Sequence, residues 1–166
     1  PCGYSGICSN GKMLLLSTVC RKNGGDMIYT STDSGESWKI IMNGLEYSRF
    51  DWNIPYMKPR YNGGGNCVHW ISDIKLSPFD SDTALFNTGT GLFMITGLAS
   101  GDVLVKPFCE GIEETVHLNV YTTPHGRNRI IDIIGDLGGF AFEDYDSECE
   151  NSFANENGDR YITCLN

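Results

Sequence analysis

Apolar and polar positions along this chain alternate over short runs, and glycine, proline and Asp/Asn clusters cut the runs apart. Met13-Leu14-Leu15-Leu16 makes residues 12–19 a buried strand, and Asn23-Gly24-Gly25-Asp26 is a turn signal. Residues 27–41 read as a β-hairpin. Farther on, Trp70, Ile74 and Leu76 share one face of a strand that Pro78 ends, and Asp80-Ser81-Asp82 makes the next turn. Residues 84–88 and 92–96 are strands around Gly89-Thr90-Gly91, and 103–106 is a short strand. Val116, Leu118 and Val120 alternate cleanly, which predicts a half-buried strand. Residues 129–134 form a strand, Gly138-Gly139 opens the apolar run Phe140-Ala141-Phe142, and residues 160–163 form a last short strand. The pattern is that of an all-β protein with antiparallel strands.

Composition sharpens this picture. Glycine supplies 20 of 166 residues, well above the usual level of about 7%, as many tight turns require. The hydrophobic content of 40% is that of a folded chain rather than a disordered one. A formal net charge of -9, with scattered Lys and Arg, argues against a nucleic-acid partner, because phosphate contacts need clustered cations. The chain has no apolar run of about 18 residues, so no transmembrane helix is expected. Seven cysteines occur without a C-x-x-C pair or a zinc-finger histidine spacing, so neither a metal nor another cofactor is expected. Some of these cysteines would pair in a secreted, extracellular protein. The odd count leaves at least one without an intrachain partner, and the connectivity stays open.

Several residues carry candidate chemistry. Asp136 sits where a strand ends and a Gly-Gly pair follows, which leaves its carboxylate at the strand mouth. The alternative is a turn aspartate bonding its own backbone. Residues 43–67 form a long irregular stretch with Trp52 and Tyr56, whose rings suit stacking on sugar faces or, alternatively, pinning the loop down. Trp70 is a third candidate for stacking on substrate. Asp80 and Asp82 lack a calcium-loop context and read as a solvated turn. Glu113 and Glu114 would either orient an acid or bond the neighbouring backbone. His69, His117 and His125 are too dispersed for a metal site, and no Ser-His-Asp constellation, phosphate loop or dinucleotide fingerprint occurs.

Ser31, Asp33, Gly35 and Trp38 spell S-x-D-x-G-x-x-W. This resembles the Asp-box of sialidase-type β-propeller repeats, a structural hairpin unit in which Asp33 would accept backbone N–H bonds and Gly35 would supply the unusual φ. From residue 69 onward the order HWISDIKLSPFDSDTALFNTGTG, GIEET, a proline-bearing turn and GDLGGF resembles the start of the second β-propeller of glycoside hydrolase family seventy-four. That family comprises xyloglucanases and oligoxyloglucan reducing-end-specific cellobiohydrolases.

The resemblance covers residues 27–144. It implies partial-propeller architecture: residues 1–45 as the last part of a first propeller, 46–68 as a linker or loop, and 69–166 as the start of the second. It implies an inverting hydrolase of the β-1,4-glucan backbone of xyloglucan, with Asp136 as the general acid. Such an enzyme needs a second carboxyl about 6.5–9.5 Å away. In the family that base lies in an R-[TS]-D-[VI]-G-G motif, absent from these residues, so the chain is expected to be inactive alone and to work with the remainder of a two-propeller parent. The residues leave a non-catalytic Asp-box module open as the alternative, binding carbohydrate or protein, because a fold does not determine a function. A sialidase would need an arginine clamp, and the arginines here form none. Neither a nucleic acid nor a membrane is an expected partner. The tail from Glu148 to Asn166 matches no part of the family pattern.

Overall fold

The computed structural model describes residues 2–20, 25–44, 47–54, 68, 70–112, 115–135, 138–147, 149 and 151–153. Among them lie twelve strands in three four-stranded antiparallel sheets, each a simple meander. The first sheet holds β1 (Gly3–Ser9), β2 (Leu14–Val19), β3 (Met27–Ser31) and β4 (Lys39–Asn43). The second holds β5 (Asp73–Leu76), β6 (Thr83–Thr88), β7 (Gly91–Thr96) and β8 (Leu104–Pro107). The third holds β9 (His117–Thr122), β10 (Ile130–Ile134), β11 (Gly138–Phe142) and β12 (Asn151–Phe153). Contacts group the chain into two compact units: residues 1–54 with 66–113, and residues 55–65 with 114–166.

In the first unit the alternation of the strands builds a core from Leu15, Ile28, Met42, Ile71, Ile74, Phe86, Phe93, Ile95 and Val105, all nearly or wholly excluded from solvent. Phe86 and Phe93 are directly opposed across β6 and β7, and their rings stack at 5.3 Å. Such a cross-strand aromatic pair contributes about 0.5–1.5 kcal/mol beyond the area it buries. Strand β1 carries no clean apolar alternation and is not foreseen by the sequence pattern. It forms because β2 offers a partner edge and because Gly6 lets its backbone lie against β5. A Cβ on Gly6 would stand 2.7 Å from the Ile74 nitrogen.

Asp26 belongs to a turn signal in the sequence, yet it is wholly buried. Its carboxylate accepts from the Ile71 N–H at 3.2 Å and from the Thr18 hydroxyl at 3.3 Å. Its backbone N–H donates to the Val68 carbonyl at 3.4 Å, and its carbonyl accepts from the Gly44 N–H at 2.9 Å. One residue thus ties the exits of β2 and β4 to the segment that leads into β5. A buried carboxylate is tolerable only with such donors around it.

The S-x-D-x-G-x-x-W loop between β3 and β4 closes on itself. Asp33 Oδ1 accepts from the Ser31 hydroxyl at 2.8 Å and the Ser37 N–H at 2.9 Å, while Oδ2 accepts from the Ser37 hydroxyl at 2.5 Å. Gly35 takes φ 94°, and the Trp38 indole N–H donates to its carbonyl at 3.0 Å. The donors from Ser37, then Ser31, hold the Asp33 carboxyl down to about 2 from its ordinary 3.8. A depressed folded-state value means that the loop bonds contribute in full above about pH 4 and are lost as pH falls through about 2. An NMR titration of the Asp33 carboxyl is expected to show a midpoint well below 3.8, and Asp33→Asn is expected to flatten the pH dependence of loop protection between pH 4 and 2. A midpoint at or above 3.8 would show that the bonds do not hold in solution.

The second sheet uses its acidic turn in the same way. Asp80 accepts from the Asp82 N–H and the Thr83 hydroxyl, and Asp82 Oδ1 accepts from the Ala99 N–H at 2.6 Å. Both carboxylates bind loop backbone.

The third sheet corrects one expectation. The alternation of Val116, Leu118 and Val120 predicts an inward face, but these residues are 56%, 44% and 55% exposed. Strand β9 is an edge strand of the sheet, and a core cluster of this unit forms from Ile134, Phe140 and Cys149, with Phe142 packed against it. Alternation reports which residues share a face, whereas burial also requires a layer to cover that face.

Candidate functional site

The glycine pair chosen from the sequence opens β11. Ile134 is the Cα partner of Gly138, and Ile133 of Gly139, so the β10–β11 connection is Gly135, Asp136 and Leu137. Asp136 and Leu137 lie outside the described residues, as do Tyr56, Glu113 and Glu114. Gly138 has φ 86°, a left-handed conformation that a Cβ would disfavour, and both glycines are buried. On the other side of β10, the register with β9 shifts between Ile133 and Ile134, and the Gly135 N–H donates to the Val116 carbonyl at 2.9 Å. A register irregularity at a strand end re-aims the residues that follow it, which is a common device beside active sites.

Beside this connection the structure assembles a constellation that the sequence did not reveal. His117 Nδ1 lies 2.7 Å from Asp132 Oδ2, and His117 Nε2 lies 2.9 Å from the Thr115 hydroxyl. Asp132 is 8% exposed, and its Oδ1 is buried with no hydrogen-bond partner among the described residues. The arrangement orients the imidazole between a carboxylate and a hydroxyl across β9 and β10. The available signal was Asp132 itself, a charged residue within Ile130-Ile131-Asp132-Ile133-Ile134. A carboxylate in an isoleucine strand needs a partner; the register sets Val120 opposite Asp132 and His117 opposite Ile134, and the His117 side chain reaches the carboxylate diagonally across the two strands.

The two described tryptophan candidates belong to the first unit. Trp52 stacks on Phe50 with centroids 4.8 Å apart and planes 10° apart, and Phe50 meets Phe93 edge-on at 6.5 Å. One face of Trp52 is therefore spent on its own loop, which is held to β8 by the Asp51 N–H donating to the Val105 carbonyl at 2.8 Å. Trp70 differs from its expected place. It precedes β5 rather than lying within a strand, takes φ 58° and is 58% exposed. A bulky residue in the left-handed region is a true outlier, held there by the burial of its neighbours Val68 and Ile71.

No protein-family model matches the chain. Similarity to individual proteins is specific. The chain is 23% identical to a xyloglucanase of Paenibacillus sp. over 93% of its own length and 17% of that protein. It is 28% identical to xyloglucanase Xgh74A of Acetivibrio thermocellus over 72% of its length and 16% of the relative. Among solved structures, the GH74 xyloglucanase from Xanthomonas campestris superposes with a TM-score of 0.64 at 27% identity, covering 78% of this chain and 18% of that one. The chain is similar to part of the family seventy-four xyloglucanases.

The three sheets are accordingly antiparallel blades of a partial β-propeller. A further xyloglucanase relative, the oligoxyloglucan-reducing end-specific xyloglucanase of Emericella nidulans, is 25% identical over 87% of the chain and 22% of its own length. The chain thus spans about a fifth or less of these xyloglucanases.

Proposed function

We propose that this chain forms part of a xyloglucan-cleaving glycoside hydrolase, in which Asp136 is the general acid of an inverting reaction. The observation that carries the reading is the sequence GDLGGF, whose Gly138-Gly139 opens β11 beside β10, in a chain similar to proteins named xyloglucanases. In an inverting hydrolysis one carboxylic acid protonates the departing glycosidic oxygen. A second carboxylate takes a proton from water on the opposite face of the sugar. Asp136 takes the first role, and the remainder of the parent protein supplies the second.

The S-x-D-x-G-x-x-W loop is an Asp-box with a structural role, because both Asp33 oxygens are used within the loop. Trp70 is the best placed of the aromatic candidates to stack on a glucan ring, being exposed and held in a strained backbone. Trp52 and Tyr56 are further stacking candidates on the long loop. The protein acts extracellularly on plant cell-wall glucan.

The test is the stereochemistry of cleavage. The full-length parent is incubated with xyloglucan, and the newly formed reducing ends are followed by proton NMR. The α anomer is expected to appear first and to mutarotate later. Initial release of the β anomer would exclude an inverting pair, and an absence of cleavage would favour a non-catalytic Asp-box module.

A further inference from the structure

We infer that Cys2 and Cys20 form a redox-closed staple across the open end of the β1–β2 hairpin. The register is the first observation. Gly3 is the Cα partner of Val19, and Tyr4 of Thr18. Cys2 and Cys20 are the next residues outward on the two strands, so the same register carried one step farther, with Cys20 turned to the extended region, sets them opposite each other. The alignment of side chains at this end is tight: a Cβ built on Gly3 would touch a Val19 methyl at 3.4 Å, and the Ser5 and Ser17 hydroxyls meet at 2.9 Å. Directly opposed residues of an antiparallel pair have Cα atoms about 4.5–5.5 Å apart. That lies inside the range of roughly 4.4–6.8 Å that a disulfide spans.

Accessibility is the second observation. Among the described cysteines, Cys2 and Cys20 are exposed, Cys8 is half-buried, and Cys109 and Cys149 are buried. Both thiols of the opposed pair can therefore meet a soluble oxidant. Cys8 is on the same strand but stands opposite Leu15 in the register, and burial pushes its thiol up, which reduces the fraction of reactive thiolate. Cys20 has φ 60° at the exit of β2. This conformation is unfavourable for a non-glycine residue, so a rotation about its N–Cα bond is available to bring the sulfurs together.

The oxidant is a low-molecular-weight disulfide such as oxidised glutathione. One protein thiolate attacks it, forming a mixed disulfide and releasing one glutathione thiol. The second protein thiolate then attacks the mixed disulfide, releasing the other. The protein dithiol loses two electrons and two protons, and one small disulfide is reduced to two thiols. Closure constrains a loop of about 19 residues and favours the folded sheet by a factor on the order of a hundred.

The experiment uses the full-length protein, reduced and then equilibrated natively in excess oxidised glutathione. Free thiols are blocked with N-ethylmaleimide before tryptic digestion. Cleavage after Lys12 and Arg21 separates Cys2 and Cys8 from Cys20. The peptide of residues 13–21 is expected to be linked to the peptide ending at Lys12, with fragmentation placing the bond on Cys2. The link is expected to persist in Cys8→Ser and vanish in Cys2→Ser. The oxidised protein is also expected to resist urea more than the reduced one, a gain absent from Cys20→Ser. Recovery of Cys20 as a maleimide or glutathione adduct, or linked to any other cysteine, would overturn the assignment.

Discussion

Replacing Asp136 by Asn in the full-length parent is expected to lower xyloglucan hydrolysis by about two to four orders of magnitude, the usual contribution of a positioned general acid. An amide keeps the size of the side chain and cannot give up a proton to the departing glycosidic oxygen. The loss should fall on kcat rather than on KM, because binding along the glucan does not depend on that proton. A second substrate separates acid catalysis from general damage. With a β-glucoside whose leaving group is a strongly acidic phenol, departure needs little protonation, so the variant should recover most of the parent rate. If Asp136→Asn retains xyloglucan hydrolysis within tenfold of the parent, Asp136 is a turn aspartate. If both substrates fail equally, the substitution has damaged the site rather than removed an acid.

The second large effect is expected at a residue with no part in the chemistry. Asp26→Ala is expected to destabilise the first unit by about 2–4 kcal/mol. The Ile71 N–H is buried and loses its carboxylate acceptor, and a buried donor left without a partner costs about 1–3 kcal/mol. The Thr18 hydroxyl retains its contacts with the Met27 backbone, so its loss is the smaller share. The cavity left by the carboxylate adds the remainder. Urea unfolding of the parent, with amide exchange at Ile71 as the local readout, measures the effect. Asp26→Asn keeps one acceptor oxygen and should recover part of the loss. A change below about 0.5 kcal/mol for Asp26→Ala would mean that water replaces the carboxylate and that the strand exits are not held together by this residue.

These two aspartates show what kind of information the amino-acid pattern carries. Asp136 stands out because the residues on either side of it in sequence, a strand and then a glycine pair with an aromatic strand, form one hairpin. The hairpin partners β6 with β7 and β10 with β11 were legible for the same reason. Turn chemistry and two-residue alternation are local, and each acts within about ten residues. The loop around Asp33 was legible too, since its donors and acceptor lie within Ser31–Trp38.

Asp26 gave no such sign. Its partner Ile71 is 45 residues away, and nothing in the turn Asn23-Gly24-Gly25-Asp26 marks the carboxylate as internal. Asp132 was visible as an anomaly among isoleucines, but its pairing with His117 is a diagonal contact between β9 and β10 that only the structure shows. Trp70 was placed on a strand because a one-dimensional pattern treats every residue as equally extended. The structure instead anchors Val68 and Ile71 in the core and leaves Trp70 turned out at φ 58°.

By itself, then, the sequence determined the all-β class, the hairpins, the self-contained aspartate loop and the resemblance that singles out Asp136, because local sterics and short-range hydrogen bonds decide each of them. Only the tertiary structure decided that β1 joins the first sheet, that Asp26 is internal and that the apolar face of β9 is open. Those depend on which strand lies beside which and on what covers each face, and side-chain alternation along one strand is the same whether or not a second layer lies over it.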